Sequence, residues 1–322
     1  MSGVPSEQLA GTSLIYPQTK HVVSAFLRAL RPYQWVKNVL VFVPLITSHN
    51  LLAGGMLARA AVAFACMSLC ASAIYVVNDI VDLDSDRGHR SKRDRPFASG
   101  ALPLSAGLLM SPLLFASGIL LSLLLPKMAT VLLLLYAALS LGYTFWLKQK
   151  LLADVLTLSL LYTIRIVEGG AAASISVSPW LLAFSLFLLL SFAFSKRVTE
   201  MILAAASAQA NLPGRAYLVS DTRTIAALGM GSGYLASLVL TLYINNETVY
   251  ALYPHPVWLW LLVPLLLYWI ARFWVLTTRG CVSDDPIVFV FKDRVTYAAL
   301  FCGAIVLLLA MKFPFGIPGI AE

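Results

Sequence analysis

Asn78 to Gly100 reads NDIVDLDSDRGHRSKRDRPFASG, five acidic and five basic side chains set between two stretches that are almost wholly apolar. Such apolar runs, near or above the roughly 18 to 20 residues that cross a bilayer, recur along the whole chain. Of its 322 residues 60% are hydrophobic and only 12% charged, far from the composition of a soluble domain. The expected fold is therefore an all-α polytopic membrane protein. Nine spans are expected, near residues 36 to 52, 56 to 78, 104 to 125, 128 to 146, 151 to 171, 179 to 203, 222 to 245, 256 to 277 and 295 to 313. Residues 1 to 20 have no apolar core and read as a cytosolic tail without a cleaved signal, and 21 to 322 as a single transmembrane domain.

With a cytoplasmic N-terminus, the charged loop falls inside, as do the connections at 147 to 150, 204 to 221 and 278 to 294. Together with the tail and the adjoining helix ends they hold 19 of the 23 lysines and arginines, all but Arg59, Lys127, Arg165 and Lys312. The bias follows the positive-inside rule, so the formal charge of +8 reflects topology and not nucleic-acid binding. It puts any chemistry in the loop at the cytoplasmic face of the membrane, with membrane lipids around the bundle; the membrane expected is a bacterial inner (plasma) membrane. Near residues 21 to 31, Val22, Val23, Phe26, Leu27 and Leu30 form one apolar face with His21, Arg28 and Arg31 beside it. This predicts an amphipathic interfacial helix leading into RPYQWVKN at 31 to 38.

Within the loop, a helix at 100° per residue would set Asp79, Asp82 and Asp86 at about 0°, 300° and 340°, on one face, with Asp84 near 140°. Like charges at that spacing repel and call for a cation. Hard carboxylate oxygens suit Mg²⁺, which bridges them to substrate phosphates, and Asn78 can add a neutral oxygen or orient a ligand.

Asn78, Asp79, Asp82 and Asp86 match the pattern NDxxDxxxD, and on it the chain resembles the UbiA superfamily over nearly its whole length. The resemblance implies a nine-helix bundle with a lateral opening to lipid and a cytoplasmic-side active-site cavity. Typical members carry a second Asp-rich motif after the sixth helix; here that segment is SKRVTEMILAAA, with Lys196, Arg197 and Glu200. The set RPYQWVKN, the Asp-rich loop, IRIVEGG at 164 to 170 and SKRVTE is similar to the decaprenyl-phosphate 5-phosphoribosyltransferase branch. That similarity implies a Mg²⁺-dependent pentosyl transfer from phosphoribosyl pyrophosphate to a polyprenyl phosphate, serving arabinofuranose supply for a surface glycan.

The residues expected to carry it are Asp79, Asp82 and Asp86 as catalytic metal ligands. Lys37, Asn38, Asn78, Lys92, Arg93, Arg95, Arg165, Lys196, Arg197 and Glu200 are the expected substrate contacts. Glu168 departs from the branch: an i, i+3 pair with Arg165 would make that arginine structural, while a pair lining the cavity would turn Arg165 to a phosphate. The segment DDPIVFVFKDR, with Asp284, Asp285, Lys292, Asp293 and Arg294, resembles the loop before the last helix of the branch. His89 reads equally as a phosphate contact or an interfacial histidine.

Other features carry less. Four dispersed cysteines, Cys66, Cys70, Cys281 and Cys302, fit neither a zinc site nor a disulfide framework. Gly229 and Gly233 read as helix packing, and Gly169–Gly170 lacks the strand and lysine of a nucleotide loop. Aromatic prenyl transfer from a polyprenyl diphosphate and non-catalytic carriage of a lipid phosphate remain as alternatives. A homo-oligomer is compatible with the sequence.

Overall fold

The computed structural model describes residues 19–48, 54–88, 92–212, 214–282 and 285–313. The first 18 residues of the expected tail, His89 and Asp284 lie outside the described residues. Among the described residues, eight helical stretches are long and apolar enough to cross a bilayer. They are built on α3 (Met56–Val81), α5 (Leu104–Ser122), α6 (Lys127–Phe145), α7 (Ala153–Ala173), α8 (Pro179–Ala206), α9 (Thr222–Ile244), α11 (Leu262–Thr278) and α13 (Arg294–Lys312). Short helices α4 (Leu83–Gly88), α10 (Glu247–Leu252) and α12 (Pro286–Val290) lie in the connections.

The first expected span starts earlier and is wound differently. A 3-10 helix, Pro32–Phe42, runs into α2 (Val43–Thr47). Pro44 has no N–H to give the Leu40 carbonyl, which accepts from Val43 instead. At about 2.0 Å per residue over the 3-10 part and 1.5 Å over the rest, the two pieces rise roughly 30 Å, the thickness of a hydrocarbon core. Fewer residues therefore cover the distance.

Helix starts follow local chemistry. Ser178 accepts from the Leu181 N–H at 3.1 Å with Pro179 behind it, and Asp293 accepts from the Thr296 N–H at 2.9 Å. Asp293 also takes a two-pronged pair from Arg272 at 2.8 and 3.0 Å, fastening α13 to α11.

In their most apolar windows α3 and α7 are 61% and 72% buried, against 11% and 17% for α5 and α13, so the first two are central and the last two peripheral. Two apolar cores meet on α7. Tyr162 and Ile166 join Phe192, Phe194, Ile270 and Trp274 on one side; Leu161, Ile164 and Ala172 join Met67, Leu133 and Tyr136 on the other. Helix α1 (Thr19–Leu30) buries Ala25 and Ala29 beside Val76 and Phe97 and turns Val23, Phe26 and Leu27 outward. The helix forms over the stretch that the amphipathic pattern predicts, and the alanine face that packs it is an addition to that pattern.

Backbone approaches are closest at small residues. A side chain on Gly169 would run into the Val41 backbone, where the 3-10 helix crosses α7. Gly229 meets Trp274 and Phe194, and Gly233 meets Ile270 and Ser191, so the glycine pair packs α9 on α8 and α11. Gly169→Ala is expected to lower stability by about 1–3 kcal/mol. Gly231→Ala faces open space and is the control, expected to leave the midpoint unchanged or slightly raised. Thermal unfolding in detergent checks both.

Candidate active site

Ser68, Ser72, Tyr75 and Asp79 recur at steps of three and four residues and form one polar seam on α3. Ser68 accepts from Asn38 Nδ2 at 3.0 Å. Ser72 accepts from Trp35 Nε1 at 3.0 Å and donates to the Leu30 carbonyl at 2.8 Å. The RPYQWVKN segment is thereby clipped to α3 along its length. At the end of the seam lies Asp79, 1% exposed.

Two arginines meet the Asp79 carboxylate. Arg31 Nη2 donates to Oδ1, and Arg95 Nη1 lies 3.2 Å from the same oxygen. The same Arg95 nitrogen is 2.5 Å from Asp86 Oδ2. Asp79 Oδ2 is buried without a hydrogen-bond partner among the described residues. Beside them opens a cavity of about 500 Å³, lined by Arg28, Arg31, Tyr33, Asp94 and Arg95.

The continuous helical face expected for Asp79, Asp82 and Asp86 is not what forms. Helix α3 ends at Val81, and Asp82, at φ −91° and ψ 12°, is the joint to α4. Asp79 and Asp86 converge on Arg95, while Asp82 turns away to Lys148 at 2.9 Å. Among the described residues no three metal-ligating side chains converge. Three carboxylates on one short face repel, and the break gives each a basic partner. A pair still fits Mg²⁺, which commonly takes one or two carboxylates and fills its shell with waters and phosphate oxygens. The orphaned Asp79 Oδ2 is a ready ligand.

Further along the seam the Arg31 guanidinium stands 5.4 Å over the Tyr75 ring. Lys37 is buried and ion-paired with Asp285, which arrives from the connection before α12. Burial alone would raise the Asp285 carboxyl; Lys37 and Lys196 outweigh it and hold it below the usual carboxylate range. Lys196 makes no hydrogen bond or ion pair with a described residue and lies in electrostatic reach of Lys37, Glu200 and Asp285.

Arg165 does not pair with Glu168. Its Nε donates to Asn38 Oδ1 and its Nη2 to the Tyr136 hydroxyl, both at 3.0 Å, and Nη1 donates to the Leu161 carbonyl. Its charge also lies 4.7 Å over the Tyr136 ring. Glu168 is fully buried in reach of the Cys66 and Cys70 thiols, and neither of its oxygens has a hydrogen-bond partner among the described residues.

The fork of Arg197 is used by the protein itself. Fully buried, it stands 2.7 Å from Asp154 Oδ2, pairs with Glu200, and donates to the Tyr143 hydroxyl at 3.3 Å. Arg215 joins the same group, 3.3 Å from Glu200 and 3.6 Å from Asp154. The Tyr217 hydroxyl donates to Asp154 and accepts from the Leu152 N–H at 3.1 Å. Burial and that bond to Asp154 raise the Tyr217 phenol above its ordinary value. Arg197 and Glu200 thus build the wall beside Lys196.

Asn38, with both ends of its amide engaged, and Asn78, which accepts from Thr144 Oγ1 at 2.6 Å, align helices around the site. Lys92 and Arg93 stand exposed, away from the converging groups. Sequence reasoning missed Arg31, Tyr75, Lys148, Asp154 and Arg215 as members of the cluster and gave Asp285 no role. Asp154 had a usable signal: an acid inside an apolar helix needs a basic partner.

Residues 41–292 match the model of the UbiA prenyltransferase family. The chain belongs to that family. It is 34% identical to "Uncharacterized protein y4nM" of Sinorhizobium fredii over 90% of this chain and 56% of that protein. It is 34% identical to "Nodulation protein NoeC" of Azorhizobium caulinodans over 83% of this chain and 87% of that one. A decaprenyl-phosphate phosphoribosyltransferase of Corynebacterium glutamicum is 38% identical over 57% of each chain, in keeping with the branch that the motifs resemble. The matches to y4nM and to this transferase thus span little more than half of those relatives' lengths. Among solved structures, a UbiA homolog from Archaeoglobus fulgidus bound to GPP and Mg²⁺ superposes with a TM-score of 0.66 at 14% identity, covering 88% of this chain and 99% of that one. The fold is shared, and the protein is a multi-pass membrane protein.

Arg197→Met takes from buried Asp154 its enclosed cation, leaving Arg215 at 3.6 Å and the Tyr217 hydroxyl, and is expected to cost about 3 kcal/mol. Glu168→Met replaces a buried carboxyl without hydrogen-bond partners and is expected to be neutral or stabilising. Thermal midpoints of the two purified variants distinguish the groups; a destabilised Glu168→Met would mean that the carboxyl has a partner.

Proposed function

We propose that this UbiA-family transferase moves 5-phosphoribose from phosphoribosyl pyrophosphate to a polyprenyl phosphate, releasing pyrophosphate. The observation that carries the reading is the replacement of a second acidic motif by cations: Lys196 lies in electrostatic reach of Lys37, and Asp285 pairs with Lys37. Two phosphate-bearing substrates need more positive charge than a prenyl diphosphate and an aromatic acid do.

Mg²⁺ held by Asp79 and Asp86 would neutralise the leaving pyrophosphate as positive charge grows at ribose C1. Arg31 and Arg95, at the rim of the cavity, are placed to meet phosphate oxygens of the donor. Lys196 and Lys37 orient the acceptor phosphate. That phosphate is already anionic near neutral pH, so positioning replaces a general base. Tyr75, under the Arg31 guanidinium, is placed to keep water from competing for C1. Attack on the face opposite the leaving group inverts the anomeric centre and gives a β-linked lipid phosphoribose.

The charge bias supports a cytoplasmic site in a bacterial plasma membrane, and the likeness to the phosphoribosyltransferases supports a product used as an arabinofuranose precursor. The second reading is prenyl transfer from a polyprenyl diphosphate to an aromatic acid; its donor class is the one that the Archaeoglobus homolog binds as GPP with Mg²⁺.

Purified protein with Mg²⁺, radiolabelled phosphoribosyl pyrophosphate and decaprenyl phosphate is expected to yield a labelled lipid. Asp79→Asn should slow it at least about a hundredfold, some 2.7 kcal/mol of barrier, with the helical content unchanged. No labelled lipid from the wild-type protein would sink the reading, and an unslowed Asp79→Asn would remove the metal assignment.

A further inference from the structure

We propose that Arg31 and Arg95 are exchangeable counter-ions: they hold Asp79 and Asp86 in the protein alone, and pass to the phosphates of the diphosphate when a divalent ion takes the carboxylates. Metal and diphosphate then bind together, and each binds poorly by itself. The inference rests on the reading of the acidic pair as a Mg²⁺-diphosphate site.

One nitrogen, Arg95 Nη1, lies 3.2 Å from Asp79 Oδ1 and 2.5 Å from Asp86 Oδ2. It joins two carboxylates from different helices, the pair that would hold a divalent ion. A guanidinium and an ion on the same two carboxylates repel each other, so an ion that takes the unpartnered Asp79 Oδ2 weakens the hold on both arginines. Arg31 shares the Asp79 oxygen.

These two arginines have somewhere to go. Their side chains are 12% and 26% exposed and border the 500 Å³ cavity, whereas Arg165 and Arg197 are enclosed. Arg31 also holds a left-handed backbone, φ 52°, at the joint between α1 and the 3-10 helix. That conformation is uncommon for a residue with a β-carbon and is kept where the surroundings demand it.

Coupling of this kind is reciprocal and has a sign. Removing an arginine leaves the carboxylates uncompensated, so the metal alone binds more tightly. The same change removes a phosphate contact, so the diphosphate strengthens metal binding less.

The test uses the full chain in detergent, with Mn²⁺ binding read by EPR with and without inorganic pyrophosphate, corrected for the Mn²⁺–pyrophosphate complex in solution. Wild-type protein is expected to bind Mn²⁺ about tenfold or more tightly with pyrophosphate, within the usual range of such couplings. Arg95→Gln is expected to bind Mn²⁺ alone about tenfold more tightly than wild type, with most of the pyrophosphate effect lost. Arg31→Gln should move the same way by a smaller factor, and carries the test if Arg95→Gln does not fold. A larger rise in thermal midpoint on adding Mn²⁺ to either variant than to wild type gives the same answer independently. Arginine variants that bind Mn²⁺ no better than wild type, while Asp79→Asn abolishes binding, overturn the exchange and leave the metal site standing. Mn²⁺ binding indifferent to Asp79→Asn removes the metal site and the exchange with it.

Discussion

Asp79 puts a buried carboxylate at the end of a 26-residue apolar helix, and the surrounding structure answers the cost of placing it there. A charge taken out of water costs several kcal/mol unless partners restore what solvent gave. Arg31 and Arg95 supply that charge from two other parts of the chain. Arg31 reaches it because the seam of Ser68 and Ser72 clips the preceding segment onto α3, and Gly169 lets the continuing 3-10 helix lie against α7. The polar end of the bundle is in this sense one electrostatic arrangement.

The cations around it are of two kinds, separated by burial. Arg165 and Arg197 are enclosed, with their donors committed to Asn38 and Tyr136, or to Asp154 and Glu200; they fix the positions of α7 and α8. Arg31, Arg95, Lys37 and Lys196 border the region where substrates are proposed to sit, and two of them are matched to carboxylates that a metal can claim. A chain with two acidic motifs would carry its diphosphate on metals at both. This one meets the second side with lysine.

Much of this was legible from residue order. Apolar runs predict the eight spans found, within a few residues at most ends, because lipid forces each span to satisfy its own backbone. The Asp-rich loop marks the polar end for the same reason: so many charges cannot lie in hydrocarbon. What could not be read depends on contacts between distant residues. Arg31 meets Asp79 across 48 positions and Tyr217 meets Asp154 across 63, with no local pattern to announce either. The break at Asp82 went unread because helical periodicity assumes a continuing helix, whereas repulsion among the carboxylates favours ending it. At the first expected span it was the early start and the winding that escaped, since apolar runs do not announce 3-10 turns, which cover the distance with fewer residues.

The central claim, that the acidic pair and its facing cations hold a diphosphate attached to ribose, is tested most directly by competition. Displacement of Mn²⁺-bound labelled pyrophosphate from the purified protein can be compared for phosphoribosyl pyrophosphate and decaprenyl diphosphate. Phosphoribosyl pyrophosphate is expected to displace the label at concentrations where the prenyl diphosphate leaves it in place. Displacement by decaprenyl diphosphate at the lower concentration would contradict the account and assign the lipid, not the sugar, as the diphosphate donor.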